Sequence, residues 1–217
     1  MLNYLKSILL LILVSACSTS QPENKWQHDA ATMCKNYQIH FLQNKTLRAS
    51  LDLSHAREMA TRSADFKPLI DIELTQCAME LSALNPSPCE RVSELLALEP
   101  NANQRAYLHL LNSQLQEEEI VFLPKQYQDF ALLFLDGDAK ALNKEISSLQ
   151  PLSSKLIASA LSKDVIDDEN IQGLIEALSF KGYKRPLLAW LELQMQKEEN
   201  EDEKSRLKAK IEILTFD

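Results

Sequence analysis

The stretch IDIELTQCAMELSALNPSP, residues 70–88, indicates the fold class of this chain. Its apolar residues recur at steps of 4, 3, 4 and 3, the spacing that places side chains on one face of an α-helix. They are Ile70, Leu74, Cys77, Leu81 and Leu84. Proline cannot continue a helix, so the two prolines that follow predict a helix end and a turn at residues 85–88.

Helical periodicity also covers the chain on both sides of this stretch. One upstream stripe consists of Ala30, Cys34, Tyr37 and Phe41. A weaker one within residues 46–62 consists of Leu47, Leu51, Ala56, Met59 and Ala60. Shorter stripes continue downstream to a charged turn at residues 198–204 and a last helix ending near Leu214. With 3 glycines in 217 residues, the chain has few of the residues that tight β-turns require. We therefore expect an all-α fold of stacked helical hairpins, either a repeat-like array or an irregular helical bundle.

Several boundaries of these helices carry local signals. Asn101 or Asn103 suits the N-cap of the helix that contains Leu108, Leu111 and Leu115, and Asp138 suits the N-cap of a later one. Gly137, just before Asp138, is typical of the residue that follows a helix end. Pro151 suits the first position of another helix.

Two segments of the C-terminal part are similar at an offset of 45 residues. Leu133, Leu135, Gly137, Leu142 and Ile146 align with Leu178, Phe180, Gly182, Leu187 and Leu191. Successive helical hairpins with a glycine at the bend resemble the tetratricopeptide and Sel1-like repeats, and the offset also suits a HEAT-like length. The tetratricopeptide signature is incomplete in residues 125–200, so an irregular bundle with two similar hairpins stays the alternative.

The N-terminus carries an apolar run at residues 8–14. The run is too short to cross a bilayer, which takes about 20 apolar residues, but suits the core of a secretion signal of about 7–15 residues. A first core helix is the alternative, although such a helix would show a polar face.

The sequence Val14-Ser15-Ala16-Cys17 ends this run and resembles the lipobox of bacterial lipoproteins. The resemblance implies that the Cys17 sulfur receives a diacylglyceryl group, that the chain is cut before Cys17, and that the new amino terminus is acylated. Two or more acyl chains anchor a protein stably. In Gram-negative lipoproteins, a residue other than Asp after the cysteine implies sorting to the outer membrane, and here it is Ser18.

These signals divide the chain into four segments. We expect a signal peptide at 1–16, the acylated Cys17 with a flexible polar tether at 17–25, an N-terminal helical half at 26–123 and a C-terminal helical-hairpin half at 124–217. The formal net charge is −8, which argues against nucleic acid as a partner because phosphate binding needs a basic surface.

Motifs for catalysis, metals or cofactors are absent from the sequence. The four histidines form no HExxH, there is no GxSxG and no phosphate-binding loop, and residues 136–138 lack the ligand spacing of an EF-hand. We interpret His55 and Glu58 as an exposed pair on a helix surface rather than as part of a metal site. The acidic run at 167–169 suits a helix N-terminus. We therefore expect no cofactor and no metal.

Three cysteines remain once Cys17 is assigned to the anchor. In an oxidising compartment Cys34, Cys77 and Cys89 can form one disulfide, and all three being buried thiols is the alternative. If the helix runs to Leu84, Cys77 lies about 10 Å back along it, which disfavours pairing with Cys89 unless the helix ends early. The expected disulfide is Cys34 with Cys77.

One apolar stretch, Ile120, Val121, Phe122 and Leu123, lies between an acidic run and Pro124. It is either a buried linker between the two halves or an exposed docking patch. For the whole chain we expect an outer-membrane lipoprotein, facing the periplasm, that acts as a non-catalytic scaffold for an envelope protein partner. The alternative is a periplasmic enzyme acting on cell wall or lipid through an unrecognised active site.

Overall fold

The computed structural model of the protein describes residues 25–216. The signal segment, Cys17 and the tether up to residue 24 lie outside the described residues, so the lipobox and what it implies stay predictions. Lys25, the last residue of the expected tether, is the first residue of the first helix.

Within residues 25–216 the regular secondary structure is entirely helical, which confirms the all-α class. Two 3-10 helices, Glu117–Phe122 and Lys125–Tyr127, separate the fifth and sixth α-helices. The α-helices are α1 Lys25–Leu42, α2 Thr46–Ala60, α3 Lys67–Ser82, α4 Glu90–Leu98, α5 Ala102–Leu111, α6 Gln128–Asp136, α7 Ala139–Ser148, α8 Leu152–Leu161, α9 Asp168–Lys181, α10 Lys184–Lys197 and α11 Glu201–Thr215.

The end of α3 overturns the expected disulfide. The helix ends at Ser82, and Leu84 takes a left-handed backbone with φ of 55°, so the chain turns back before the prolines. Cys89, also left-handed with φ of 50°, comes to lie beside Cys77, and the two form a disulfide with their Cα atoms 5.9 Å apart. Cys34 is a free thiol. The Cys34–Cys77 pairing is therefore wrong, because the helix is shorter than its apolar pattern suggested.

The local helix signals are mostly confirmed. The side chain of Asn101 caps α5, that of Asp138 caps α7 and that of Asp167 caps α9, each by accepting backbone N–H bonds. Gly137 and Gly182 follow their helices with φ of 76° and 65°, a conformation that glycine adopts without steric cost.

Several local expectations were wrong. Leu47 and Leu51, expected on the apolar stripe of α2, are exposed. The helix α5 ends at Leu111, before Leu115.

Pro151 lies just before the first residue of α8, rather than inside the helix. The charged residues Glu201–Lys204, expected in a turn, form the first turn of α11, which Asn200 caps. Acidic side chains are favourable there because the helix N-terminus carries partial positive charge.

The two similar hairpins have the same form in the structure. In each, a helix ends at a left-handed glycine and a second helix follows, α6 with α7 and α9 with α10. The aligned residues of the second helices are all buried, and Leu135 and Phe180 are both exposed. These aligned residues therefore occupy matching environments, whereas Leu133 is half-buried and its counterpart Leu178 is fully buried.

One continuous hydrophobic core runs from Ala30 to Leu207 and joins the two halves. Trp190 of α10 is fully buried and donates its indole N–H to the carbonyl of Ser82 at 3.3 Å. Arg185 of α10 lies over the Phe41 ring, 4.3 Å from its centroid, and donates to the Thr46 hydroxyl. The C-terminal helices thus close onto the end of α3 and the α1–α2 pair.

Candidate functional site

The 3-10 helix Glu117–Phe122 is held in place at both ends. The carboxylate of Glu119 accepts from Nδ1 of His109 at 2.8 Å and from the backbone N–H of Gln116 at 3.1 Å. On the other side, the side-chain amide of Gln128 donates to the carbonyl of Leu123 at 3.1 Å. These bonds tie the segment to α5 and to the start of α6, so its backbone is ordered by side chains rather than by a long helix.

The carboxylate that anchors the segment is stabilised in its charged form. Partial burial raises the pKa of Glu119, but the hydrogen bonds from His109 and from the Gln116 N–H outweigh burial and hold it below its ordinary value. Glu119 is therefore ionised at neutral pH and accepts both hydrogen bonds.

In the apolar stretch the two end residues face the core and the two middle residues face solvent. Ile120 and Leu123 are buried in the core, whereas Val121 is 69% exposed and Phe122 is 40% exposed. The stretch is neither a fully buried linker nor a fully exposed patch. Two apolar residues anchor it, and two are presented to solvent.

The first of two cavities beside this segment is the leucine cavity, of about 450 Å³. Its apolar wall consists of Ile120 with Leu132, Leu133 and Leu135 of α6, and both Leu132 and Leu135 are substantially exposed. Its remaining lining residues, Glu117 and Asp136, are acidic. The cavity therefore combines an apolar floor with negative charge.

The second cavity, which we call the Phe122 cavity, has a volume of about 460 Å³ and shares no lining residue with the first. Its apolar wall is formed by Leu74, Tyr107, Phe122 and Pro124. Its polar lining residues come from the N-terminal turns of α3 and α5, and they are Lys67, Asp71, Asn101, Asn103 and Gln104.

Polar contacts hold the walls of the Phe122 cavity. Gln104 is buried, and its side-chain N–H groups donate to the carbonyl of Lys67 at 3.0 Å and to the carboxylate of Asp71 at 2.6 Å. Its amide oxygen has no hydrogen-bond partner among the described residues. The rings of Tyr107 and Tyr127 lie 5.7 Å apart, and burial together with Tyr127 raises the pKa of Tyr107. The hydrogen bonds of Gln104 and the contact between the two rings hold these side chains of the cavity wall in place.

A different polar cluster surrounds the disulfide. Glu73 of α3 has a side chain only 5% exposed, and its carboxylate accepts from Nε of Arg57 at 2.8 Å and pairs with Arg91 at 3.1 Å. Arg57 also donates to the side chain of Gln76. The hydrogen bond to Glu73 raises the pKa of Arg57. Because the buried carboxylate is fully partnered, this cluster has the character of a structural element.

The free thiol of Cys34 lines a groove between α1 and α3, which shares Asp71 with the Phe122 cavity. Burial raises the pKa of Cys34, although hydrogen bonds with Thr75 and Gln38 partly oppose this effect. The thiol form is therefore favoured, whereas a reactive cysteine needs the thiolate.

Two histidines pair with carboxylates, as they do in many catalytic sites. They are His109 with Glu119 and His40 with Asp52, the latter at 2.5 Å. Over residues 25–216, however, no hydroxyl or thiol is hydrogen-bonded to either imidazole ring, so the described residues contain no assembled nucleophile and base. His55 is exposed, and Glu58 pairs with Arg62 instead. The part of the chain that the structure describes also brings together no group of three side chains able to hold a metal.

No family model, no curated protein and no solved structure matches this chain. In the described range, no helix has both the length and the apolar character needed to cross a bilayer.

Proposed function

We propose that this protein is a lipid-anchored docking protein of the outer membrane, which binds an envelope protein partner on its periplasmic side. The observation that carries the proposal is the pinned 3-10 helix Glu117–Phe122, which presents Val121 and Phe122 to solvent. An apolar side chain held on an ordered backbone loses little conformational freedom on binding, so such a display favours recognition.

The Phe122 cavity has the composition of a protein-binding site. An aromatic and aliphatic centre is bordered by lysine, asparagine and aspartate side chains, which matches the apolar core and polar rim of protein interfaces. Phe122 and Tyr107 are residue types that interface centres favour. The partner we propose presents an apolar side chain to this wall, with polar groups that reach Lys67 and Asn103.

The proposed anchor confines docking to the membrane surface. From Cys17 to Lys25 is eight residues, which span at most about 29 Å when fully extended. The folded part therefore stays close to the membrane that holds the acyl chains, and its partner is a protein found there.

In-cell photocrosslinking tests the docking proposal. A photoreactive amino acid replaces Phe122, and in a matched strain it replaces Leu47, an exposed apolar residue of α2 that lines neither cavity. We expect one strong adduct with an envelope protein from position 122 and none from position 47. Equal labelling from both positions, or no adduct from position 122, would contradict the proposal.

The anchor has a separate test. Cys17→Ser should abolish fatty-acid labelling and release the protein from the membrane fraction, whereas Cys34→Ser should change neither. Continued labelling of the Cys17→Ser protein would show that the lipobox interpretation is wrong.

A further inference from the structure

The last helix, α11, leaves part of its surface without a partner. Leu207 is its one buried residue, and Ile211 and Leu214 on the same side pack against the core. On another face, Arg206, Lys210 and Ile213 follow at steps of four and three and form one stripe. Ile213 is 72% exposed, and Phe216, just beyond the helix, is 88% exposed. The stripe therefore combines positive charge with apolar side chains.

The charge on this stripe comes mainly from Lys210. Arg206 already pairs with Glu203 of the same helix at 2.5 Å. Lys210 is exposed and forms no ion pair with any described residue. A helix surface of this kind fits a groove that offers an apolar floor and carboxylates.

The leucine cavity has the complementary character. Its lining consists of four aliphatic residues and two exposed acidic ones, Glu117 and Asp136, with no basic residue. The Phe122 cavity lacks this match because Lys67 is among its lining residues.

We propose that the leucine cavity of one copy receives the C-terminal helix of a second copy of this chain. Ile213 and Phe216 of one copy pack against Leu132 and Leu135 of the other, while Lys210 lies beside Glu117 and Asp136. In the folded chain the stripe of α11 is exposed, so it does not fill the leucine cavity of its own molecule.

The two patches are different surfaces of one chain, so the contact is head-to-tail and closes into a ring or extends into a row of molecules. Anchoring in one membrane raises the effective concentration of the copies. The Phe122 cavity shares no lining residue with this contact, so different residues serve the proposed envelope partner and self-association.

Photocrosslinking of the full-length protein in cells tests the inference. A photoreactive amino acid replaces Leu135, the product is sized, and the crosslinked peptide is mapped by mass spectrometry. We expect a product of twice the protein's mass, crosslinked to residues 206–216. Crosslinking from position 135 to another protein, or no crosslink, would overturn self-association, while the adduct from position 122 tests the docking proposal separately.

Charge reversal makes the test specific. Lys210→Glu and Asp136→Lys should each lower the dimer yield about fivefold, and the two together in one chain should restore it to near the wild-type yield. Lys208→Glu, the same change on a different face of α11, is the matched control and should leave the yield unchanged. Equal losses from Lys208→Glu and Lys210→Glu, or no recovery in the double variant, would contradict the proposed contact. Circular dichroism and thermal unfolding of each variant establish that the chain remains folded.

Discussion

The cluster around Glu73 and the segment Glu117–Phe122 each depend on a glutamate carboxylate with polar partners, but the first joins three helices and the second holds a 3-10 helix. Around Glu73, the anchoring residues Arg57 and Arg91 enclose a buried carboxylate beside the Cys77–Cys89 disulfide. At the 3-10 helix, Glu119 and Gln128 hold the backbone while Val121 and Phe122 face solvent. Around Glu73 the polar contacts are buried and stabilise the fold. In the segment Glu117–Phe122 similar contacts hold Val121 and Phe122 in solvent, which suits the proposed docking.

The largest expected effect on stability comes from the disulfide beside the Glu73 cluster. Replacing both Cys77 and Cys89 with serine should lower the free energy of unfolding by about 3 kcal/mol, since the bridge closes a loop of 12 residues in the unfolded chain. Urea unfolding of the purified protein measures the loss. Cys34→Ser should cost less than about 1 kcal/mol, because the thiol is free and half-buried. A Cys34-containing disulfide in non-reducing peptide maps would invalidate the pairing on which this comparison depends.

The next effect concerns the buried charge. Arg57→Met should lower the unfolding free energy by about 2 kcal/mol, because Glu73 then keeps only the more exposed Arg91 as a partner. Adding Glu73→Leu should recover part of the loss, since no buried carboxylate remains unpaired. Arg62→Met, which removes an exposed ion pair with Glu58, is the control and should stay within about 0.5 kcal/mol. A loss of similar size in Arg62→Met would show that burial of Glu73 is not the cause.

Loss of the Glu119 contacts in the segment Glu117–Phe122 should lower the free energy of unfolding less, and by an amount that depends on pH. Glu119→Gln should cost about 1 kcal/mol at pH 7, because it weakens two hydrogen bonds to a charged acceptor. The pKa of Glu119 is lower in the folded chain, so its stabilisation is present above the ordinary carboxyl pKa of 4.5 and is lost as the pH falls through the folded value.

Urea unfolding of wild type and Glu119→Gln at pH 7 and at pH 3 checks this sign, together with hydrogen exchange over residues 116–123. The difference between the two proteins should shrink at pH 3, and exchange in the variant should be faster at pH 7. Glu118→Gln, at an exposed neighbouring carboxylate, is the control. A difference that grows at low pH would contradict the assigned role of Glu119.

The smallest effect on stability is expected where the effect on binding is large. Val121→Ser should change the unfolding free energy by no more than about 0.5 kcal/mol, because the side chain is mostly in solvent. The same change should reduce the crosslink from position 122 to the envelope partner. Val165→Ser, at an exposed valine elsewhere, should affect neither measurement. If Val121→Ser lowered the free energy of unfolding strongly, Val121 would have a structural role, as the Glu73 cluster does.

Local sequence patterns predicted the parts of the fold that depend on neighbouring residues. The caps Asn101, Asp138 and Asp167 bond to backbone N–H groups two or three residues ahead, so their roles are visible in the sequence. The Cys77–Cys89 bridge was missed because it depends on the left-handed backbone of Leu84, and a leucine carries no signal for that conformation.

The candidate site was predicted only in outline. The apolar run at residues 120–123 marked the segment as either a buried linker or an exposed docking patch. Which side chains face solvent was decided by α5 and α6, whose His109 and Gln128 hold the backbone in one orientation. The Phe122 cavity combines side chains of α3 and α5 with residues that follow them, contacts that one-dimensional periodicity does not contain.

The sequence alone indicates that the described chain is helical, and it places several helix boundaries, such as the caps Asn101 and Asp138 and the glycine that follows α6. These properties follow from hydrogen bonds and side-chain spacing within a few residues. Only the tertiary structure decided the disulfide partner, the pairing of Arg57 with Glu73 and the exposure of Val121 and Phe122. The physical reason is that each of these depends on how helices pack across the core, which brings together groups that are distant in the chain.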